Sequence, residues 1–312
     1  MFYIMSDYKF SIEAIKVNKI YKKKDKKIDA LNNFNINIKK GSIYGLLGPN
    51  GAGKSTFINM LGGLVLKTSG SIKICGVDID KNSKLSKTKI GIVPQELNID
   101  PFFTPIELLE LQGGLYGVAK KDRRSDEILF NLGLAEQRNS YARTLSGGMR
   151  RRLLIAKALV HNPDVLILDE PTAGVDVELR KNLWHYIRKL NKNGMTICLT
   201  THYIEEAQEL CDYITILNKG KIIKSDTKIN LLNLVGKKTV RFILDKDYPI
   251  PKKLEVYEAS IKNNILTLSY EKNTVDLNII INILNENNII FKEIDTYEND
   301  LEDIFIDLIK NE

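Results

Sequence analysis

GPNGAGKST, Gly48 to Thr56, follows the apolar run GSIYGLL (Gly41 to Leu47) and opens a helical pattern from Lys54 to Gly63. Its spacing, G-x-x-x-x-G-K-[S/T] between a strand and a helix, is that of a phosphate-binding loop. Glycines let a backbone wrap closely round phosphate oxygens, with N–H groups pointing inward and a helix N-terminus behind them. The candidate phosphate contacts are therefore Gly48, Pro49, Asn50, Gly51, Ala52, Gly53, Lys54, Ser55 and Thr56. Lys54 is placed to reach the β and γ phosphates, and the Ser55 hydroxyl to ligate Mg²⁺. The plainer alternative, a glycine-rich turn that holds nothing, leaves the strand before and the helix after it without a purpose.

A second apolar run, DVLILDEP (Asp164 to Pro171), ends in two carboxylates, Asp169 and Glu170. A buried parallel strand that ends so delivers them to the carboxyl edge of its sheet, where α/β proteins bind ligands. Asp169 suits a Mg²⁺ shell, and Glu170 suits polarising the water of an in-line hydrolysis. Of the three histidines, His202 ends another apolar run, MTICLTTH, and belongs on the same edge. There it could bond a γ-phosphate or the attacking water. A histidine at a strand end is more often a local cap, and only this company argues otherwise. His161 and His185 keep a structural reading.

These runs, with KIGIVPQ (Lys89 to Gln95), alternate with helical patterns at Arg150 to His161, Glu178 to Asn193 and Tyr203 to Cys211. Near-continuous apolar runs between helices imply a parallel sheet covered on both faces. Ahead of them, the alternation in FNINIKKGSI predicts antiparallel strands between Ile15 and Ile43. From about residue 101 to 150 the pattern is helices and loops. After about Val235, KTVRFILDK, NNILTLSYE and IIFKEIDTYE read as strands, and VDLNIIINILNEN and LEDIFIDLIKN as helices. The expected organisation is an α/β chain with a P-loop NTPase core over 12–235, carrying an N-terminal antiparallel β subdomain and an inserted helical subdomain. A small α+β domain is expected over 236–312.

Composition bounds the function more loosely. With 312 residues, 43% hydrophobic and 27% charged, the chain is an ordinary globular protein with room for a large core. Its net charge of +7 could mark nucleic acid or an anionic membrane, but lysine runs such as KKKDKK (Lys22 to Lys27) read better as a solvated face. The three cysteines, Cys75, Cys198 and Cys211, have neither zinc-site spacing nor the even count of a disulfide framework, and fit a reducing cytosol. No apolar run reaches the roughly 18 residues of a spanning helix, and MFYIMSDYKF is too short a run for a signal peptide. Any membrane role is expected to come through a partner.

One stretch is at odds with itself. LSGGMRRRL (Leu145 to Leu153) exposes N–H groups as an anion-binding helix start would, then places Arg150, Arg151 and Arg152 where the helix dipole disfavours positive charge.

In order, the chain carries GPNGAGKST, Gln95 in VPQE, LSGGM, LILDEPT, AGVD ending at Asp176, and TTH. Together these resemble the nucleotide-binding domain of ABC transporters, over about Ile12 to Leu232. The resemblance implies ATP and Mg²⁺ as ligands, with Tyr21 stacking on adenine and Gln95 touching Mg²⁺ and reporting nucleotide state to the helical subdomain. It implies that Asp176 bridges two subunits that close head to tail, most simply as a homodimer. Ser146, Gly147 and Gly148 then face the γ-phosphate of the partner's ATP. Met149 departs from the commoner glutamine, and AGVD from the commoner SALD.

LSGGMRRRL, GIVPQE and the ending LEDIFIDLI look like the ATPases of bacterial multidrug, lipo-oligosaccharide and polysaccharide exporters, which serve a separately encoded permease. The leading expectation is thus an exporter ATPase, cytoplasmic and peripheral on the membrane, with no nucleic acid partner. A soluble ABC ATPase of nucleic acid or ribosomes is opposed by the single P-loop and by the compact insert, too short for a long coiled coil. An importer ATPase is the third reading, and a neighbouring gene for a substrate-binding protein would favour it.

Overall fold

The computed structural model describes residues 8–23, 26–172, 177–233, 237–271, 277–298 and 301–310. It divides into two compact units, Met1–Thr227 and Lys228–Glu312.

A six-stranded sheet organises the first unit. Its order is Lys221–Thr227, Tyr213–Asn218, Ile43–Leu47, Thr196–Thr201, Val165–Asp169, Ile90–Val93. The last five are mutually parallel, and Lys221–Thr227 pairs antiparallel with its neighbour. Ile43–Leu47, Val165–Asp169 and Thr196–Thr201 are buried along their whole length, which explains their unbroken apolar character. The register sets the site: Leu47 lies opposite Thr201, and Asp169 opposite Thr200. Three adjacent strands therefore end level with one another, and the residues just beyond their ends meet at one edge.

The hairpin of Tyr213–Asn218 and Lys221–Thr227 does not stand out in the sequence. Its two-residue turn, Lys219-Gly220, has φ of 43° and 78°. Positive φ at both positions matches the twist of a tight antiparallel pair, and glycine takes the second at no steric cost.

A four-stranded antiparallel sheet covers the helix Lys54–Leu61. Its order is Lys26–Lys39, Phe10–Lys23, Ser69–Ile74, Val77–Asp78. The first two strands answer the alternation in the sequence, with Ile12, Ala14, Val17, Phe34, Ile36 and Ile38 turned inward. Phe34 packs on Phe57 of the helix, ring centroids 4.7 Å apart. Ser69–Ile74 and Val77–Asp78 join this sheet from beyond the helix, a long-range pairing that local pattern does not announce.

The insert is helical, as its pattern implies, with the helices Pro105–Leu115, Ser125–Asn131 and Gly147–Leu159. Thr104 and Glu107 form a reciprocal capping box at the start of the first. Leu109, Leu129, Leu134 and Ile155 are fully buried among these elements.

The second unit is an antiparallel sheet ordered Ser260–Lys262, Ile265–Glu271, Lys237–Leu244, Phe291–Glu298, with the helix Leu277–Glu286 among its elements. Val240, Phe242, Leu266 and Leu268 from the strands and Ile280 and Leu284 from the helix form its core. The short helix Lys228–Leu232 packs against Leu301–Lys310 and so belongs to this unit, which begins before the 235/236 boundary read from the sequence.

Candidate functional site

The loop after Ile43–Leu47 is held from behind by backbone. Gly220 donates its N–H to the carbonyl of Ala52 (3.0 Å), and Asn32 donates to the carbonyl of Gly220 (2.9 Å). Gly53 has φ of 109°, and a Cβ there would lie 2.6 Å from the carbonyl oxygen of Ala30. A Cβ on Gly48 would lie 2.4 Å from the carbonyl oxygen of Leu217. Two of the motif's glycines are thus required by packing against the hairpin and the long second strand. Gly51, with φ of 82° and open space around it, is required by backbone conformation alone. Pro49, Asn50, Gly51 and Ser55 are exposed, Thr56 is half-buried, and Ala52, Gly53 and Lys54 are buried. No side chain caps the start of Lys54–Leu61, so its first N–H groups stay available to an anion.

Lys54 folds back over this loop. Its Nζ donates to the carbonyls of Gly48 (2.5 Å) and Pro49 (3.2 Å). Burial pushes its ammonium below the usual lysine value, partly offset by the nearby carboxylates of Glu170 and Asp169. All three groups therefore feel one another's charge at the sheet edge.

Asp169 and Glu170 are both buried, 8% and 7% exposed. Asp169 Oδ1 accepts from the Thr200 hydroxyl at 2.5 Å. Glu170 has φ of 48°, the left-handed region, immediately before Pro171. That conformation costs an L-residue about 1–2 kcal/mol, and a following proline disfavours helical backbone further. It is held by the Glu170 N–H, which donates to both the carbonyl and the hydroxyl of Thr200, each at 3.1 Å. Backbone strain that the surroundings hold in place clusters at functional sites.

The Glu170 carboxylate is shared between two other strand ends. Oε2 accepts from Gln95 Nε2 at 2.9 Å, and Oε1 lies 3.2 Å from His202 Nδ1. The expected Gln95, Glu170 and His202 are therefore brought together directly, from three different strands. His202 is otherwise open to solvent, with its ring tilted on Tyr203 at 4.1 Å. Tyr21 lies within the strand Phe10–Lys23, partly exposed, with Lys19 Nζ 4.7 Å above its ring. Asp176 falls outside the described residues.

The arginine puzzle of LSGGMRRRL resolves within the chain. Arg151 Nη1 donates to the carbonyl of Pro94 (2.8 Å), and Arg152 Nη1 to those of Leu132 (2.8 Å) and Gly133 (3.3 Å). These two cations thus cap backbone carbonyls instead of crowding the helix start, and burial lowers the proton affinity of both. Arg151 is a functional residue that the motif reading missed: it pins the residue before Gln95. Ser146 caps the helix itself, its Oγ accepting from the Met149 N–H at 3.2 Å. The cap uses the backbone of Met149, so methionine serves it as well as glutamine. Ser146 and Gly147 are exposed, and among the described residues no hydrogen bond joins them to the phosphate loop.

Similarity to known proteins agrees with this geometry. Residues 31–173 match the family model described as ABC transporter. The chain is 42% identical over 231 residues to the linearmycin resistance ATP-binding protein LnrL of Bacillus subtilis, with 73% of each chain covered. It is 40% identical over 205 residues to the Nod factor export ATP-binding protein I of Cupriavidus pinatubonensis, covering 65% of this chain and 63% of that one. Among solved structures, a dimeric ATP-binding cassette in a post-hydrolysis state, bound to ADP and Pi, superimposes with a TM-score of 0.63 at 30% identity, covering 98% of that chain and 70% of this one. The chain belongs to the ABC transporter family, as an ATP-binding subunit that hydrolyses ATP.

Proposed function

We propose that this chain powers an exporter: it closes as a homodimer around ATP and drives a separately encoded permease at the cytoplasmic face of the membrane. The observation that carries the hydrolytic part is the Glu170 carboxylate, buried and oriented between Gln95 and His202 on the edge that also bears Lys54. Export is supported by the names of the relatives, one of which serves linearmycin resistance and another Nod factor export.

Binding of ATP exchanges the two carbonyl acceptors of Lys54 for phosphate oxygens, while the open N–H groups of the loop and helix start take the rest. As the water oxygen bonds to the γ phosphorus, the bond to the β–γ bridging oxygen breaks and ADP leaves; Glu170 accepts the water's proton, and His202, 3.2 Å away, orients that carboxylate. The Ser55 hydroxyl, the Asp169 carboxylate and the Gln95 amide oxygen form a set of hard oxygen donors, which suits Mg²⁺. Mg²⁺ held there would neutralise phosphate charge. Ser146 and Gly147, exposed and unlinked to their own phosphate loop, serve with the half-buried Gly148 the ATP of the second subunit. Among the described residues no helix is long and apolar enough to cross a membrane.

The test is affinity purification of the tagged chain from detergent-solubilised membranes of its own cells, followed by ATPase assay. Recovery with an integral membrane permease in equal subunit numbers is expected. Recovery with a nucleic acid or ribosomal fraction instead overturns the reading.

A further inference from the structure

Glu206 is a charged-type residue with no exposure at all, and the hydrolytic machinery does not touch it directly. It sits in the helix Ile204–Leu210, just after His202. Its Oε1 accepts from the indole Nε1 of Trp184 (3.2 Å), on the helix Val177–Lys192. The hydroxyls of Thr172 and Thr201 are its other polar neighbours, both fully buried. Thr172 stands two residues after Glu170, and Thr201 immediately before His202. Thr201 Oγ1 in turn accepts from the Tyr203 N–H at 2.9 Å, closing the turn that presents the His202 ring.

Three buried atoms of this group and the nearby Arg180 lack a hydrogen-bond partner: Glu206 Oε2, Thr172 Oγ1 and Arg180 Nε. An isolated buried orphan of this kind is destabilising, because it has given up water without gaining a partner. Glu206 Oε2 and Thr172 Oγ1 are of complementary type, because a hydroxyl donates to a carboxylate oxygen and a protonated carboxyl donates to a hydroxyl oxygen. Burial raises the carboxyl above its ordinary range, opposed by the hydrogen bonds of Thr201, Trp184 and Thr172 and then by the charge of Arg180. An apolar side chain would fill the space without this cost. Glu206 therefore buys geometry rather than stability.

We propose that Glu206 is a positioning residue for ATP hydrolysis: through Trp184, Thr172 and Thr201 it fixes the strand end bearing Glu170 against the turn bearing His202. It rests on the assignment of Glu170 and His202 as the hydrolytic pair. The pair meets at 3.2 Å across two separate strands, so a small slip of either end breaks it. A displacement of about 1 Å at a catalytic contact costs up to about 10²-fold in rate.

Steady-state ATPase of the full chain tests this with Glu206→Leu and Glu206→Gln. Leucine keeps the volume and removes every polar link; kcat is expected to fall about tenfold while the KM for ATP stays within about twofold. Glutamine both accepts from Trp184 and donates to Thr172, and is expected to restore kcat to within about twofold. Unchanged kcat in the leucine variant, a loss of ATP affinity in step with kcat, or failure of glutamine to rescue overturns the proposal. If the leucine variant does not fold, Trp184→Phe and Thr172→Val decide: a selective fall in kcat supports it, and parental kcat in both overturns it. Full turnover by Glu170→Gln and His202→Ala would instead sink the hydrolytic pair itself.

Discussion

His202 Nδ1 lies 3.2 Å from Glu170 Oε1, joining the end of one buried parallel strand to the end of its neighbour. The contact unites a candidate base with a candidate orienting group, and Gln95 reaches the other oxygen of the same carboxylate. Chemistry at this edge should accordingly be sensitive to small changes that leave the fold intact.

Glu170→Gln preserves shape and hydrogen-bonding capacity but cannot take a proton. Turnover should fall by at least about 10²-fold with ATP binding retained. An ATP-dependent dimer should then accumulate, visible by gel filtration. A monomer at saturating ATP and Mg²⁺ would count against the composite site.

Lys54→Ala removes the only buried cation of the phosphate loop. Hydrolysis should drop to background, as measured by phosphate release. The parent should also lose ATP affinity as pH rises through the depressed pKa of Lys54, earlier than a free lysine would dictate. Lys54→Arg, charged throughout that range, should abolish this alkaline slope wherever it still binds.

Gly53→Ala drives a methyl group towards the Ala30 carbonyl, in a backbone region that L-residues avoid. Destabilisation of at least about 1–2 kcal/mol is expected, together with loss of ATP binding. Thermal unfolding with and without ATP measures both; an unshifted midpoint would show that the loop can relax.

Glu206→Gln should change stability in a pH-dependent way. Glu206 is held above its ordinary pKa by burial, with Arg180 the nearby charge opposing it. Below the unfolded carboxyl pKa both states carry the proton, and the residue is neutral to stability. As pH rises past it the unfolded state ionises first, so the parent loses stability until the raised folded pKa is passed. The glutamine variant lacks this loss. Its midpoint should match the parent near pH 4 and exceed it near neutrality.

Phe102, Tyr141 and Arg143 form an exposed patch on the helical insert, with the guanidinium 5.7 Å and 5.1 Å from the two rings. Replacing Phe102 and Tyr141 by alanine should reduce recovery of the membrane permease with the chain while leaving its isolated ATPase unchanged. Undiminished recovery would move the docking site elsewhere.

The motifs were legible because they encode local needs. Glycines must sit where GPNGAGKST turns, and acids must come directly after VLIL if they are to reach a sheet edge. Alternation in FNINI reported burial on one face, and the continuous run in VLIL burial on two. The insert's helices and the strands of the second unit were legible for the same reason.

Other features depended on partners far along the chain. Ser69–Ile74 joins a sheet whose other long strands lie before the phosphate loop, and the Lys219-Gly220 turn lies under Ala52. Arg151 and Arg152 looked like a dipole conflict until the carbonyls of Pro94, Leu132 and Gly133 came into reach. Glu206 stands among other acids in YIEEAQEL, and only the fold brings Trp184 to it.

The sequence by itself marked a phosphate-binding loop and, far along the chain, a strand ending in two acids, since each is a short-range pattern; the order of its motifs, through their resemblance to ABC ATPases, pointed to ATP. Only the tertiary structure decided how the parts act together. Glu170 meets His202 and Gln95 because strand register sets which ends are level. Register is a property of long-range pairing and of burial on both faces of the sheet, and no local stretch of the chain contains it.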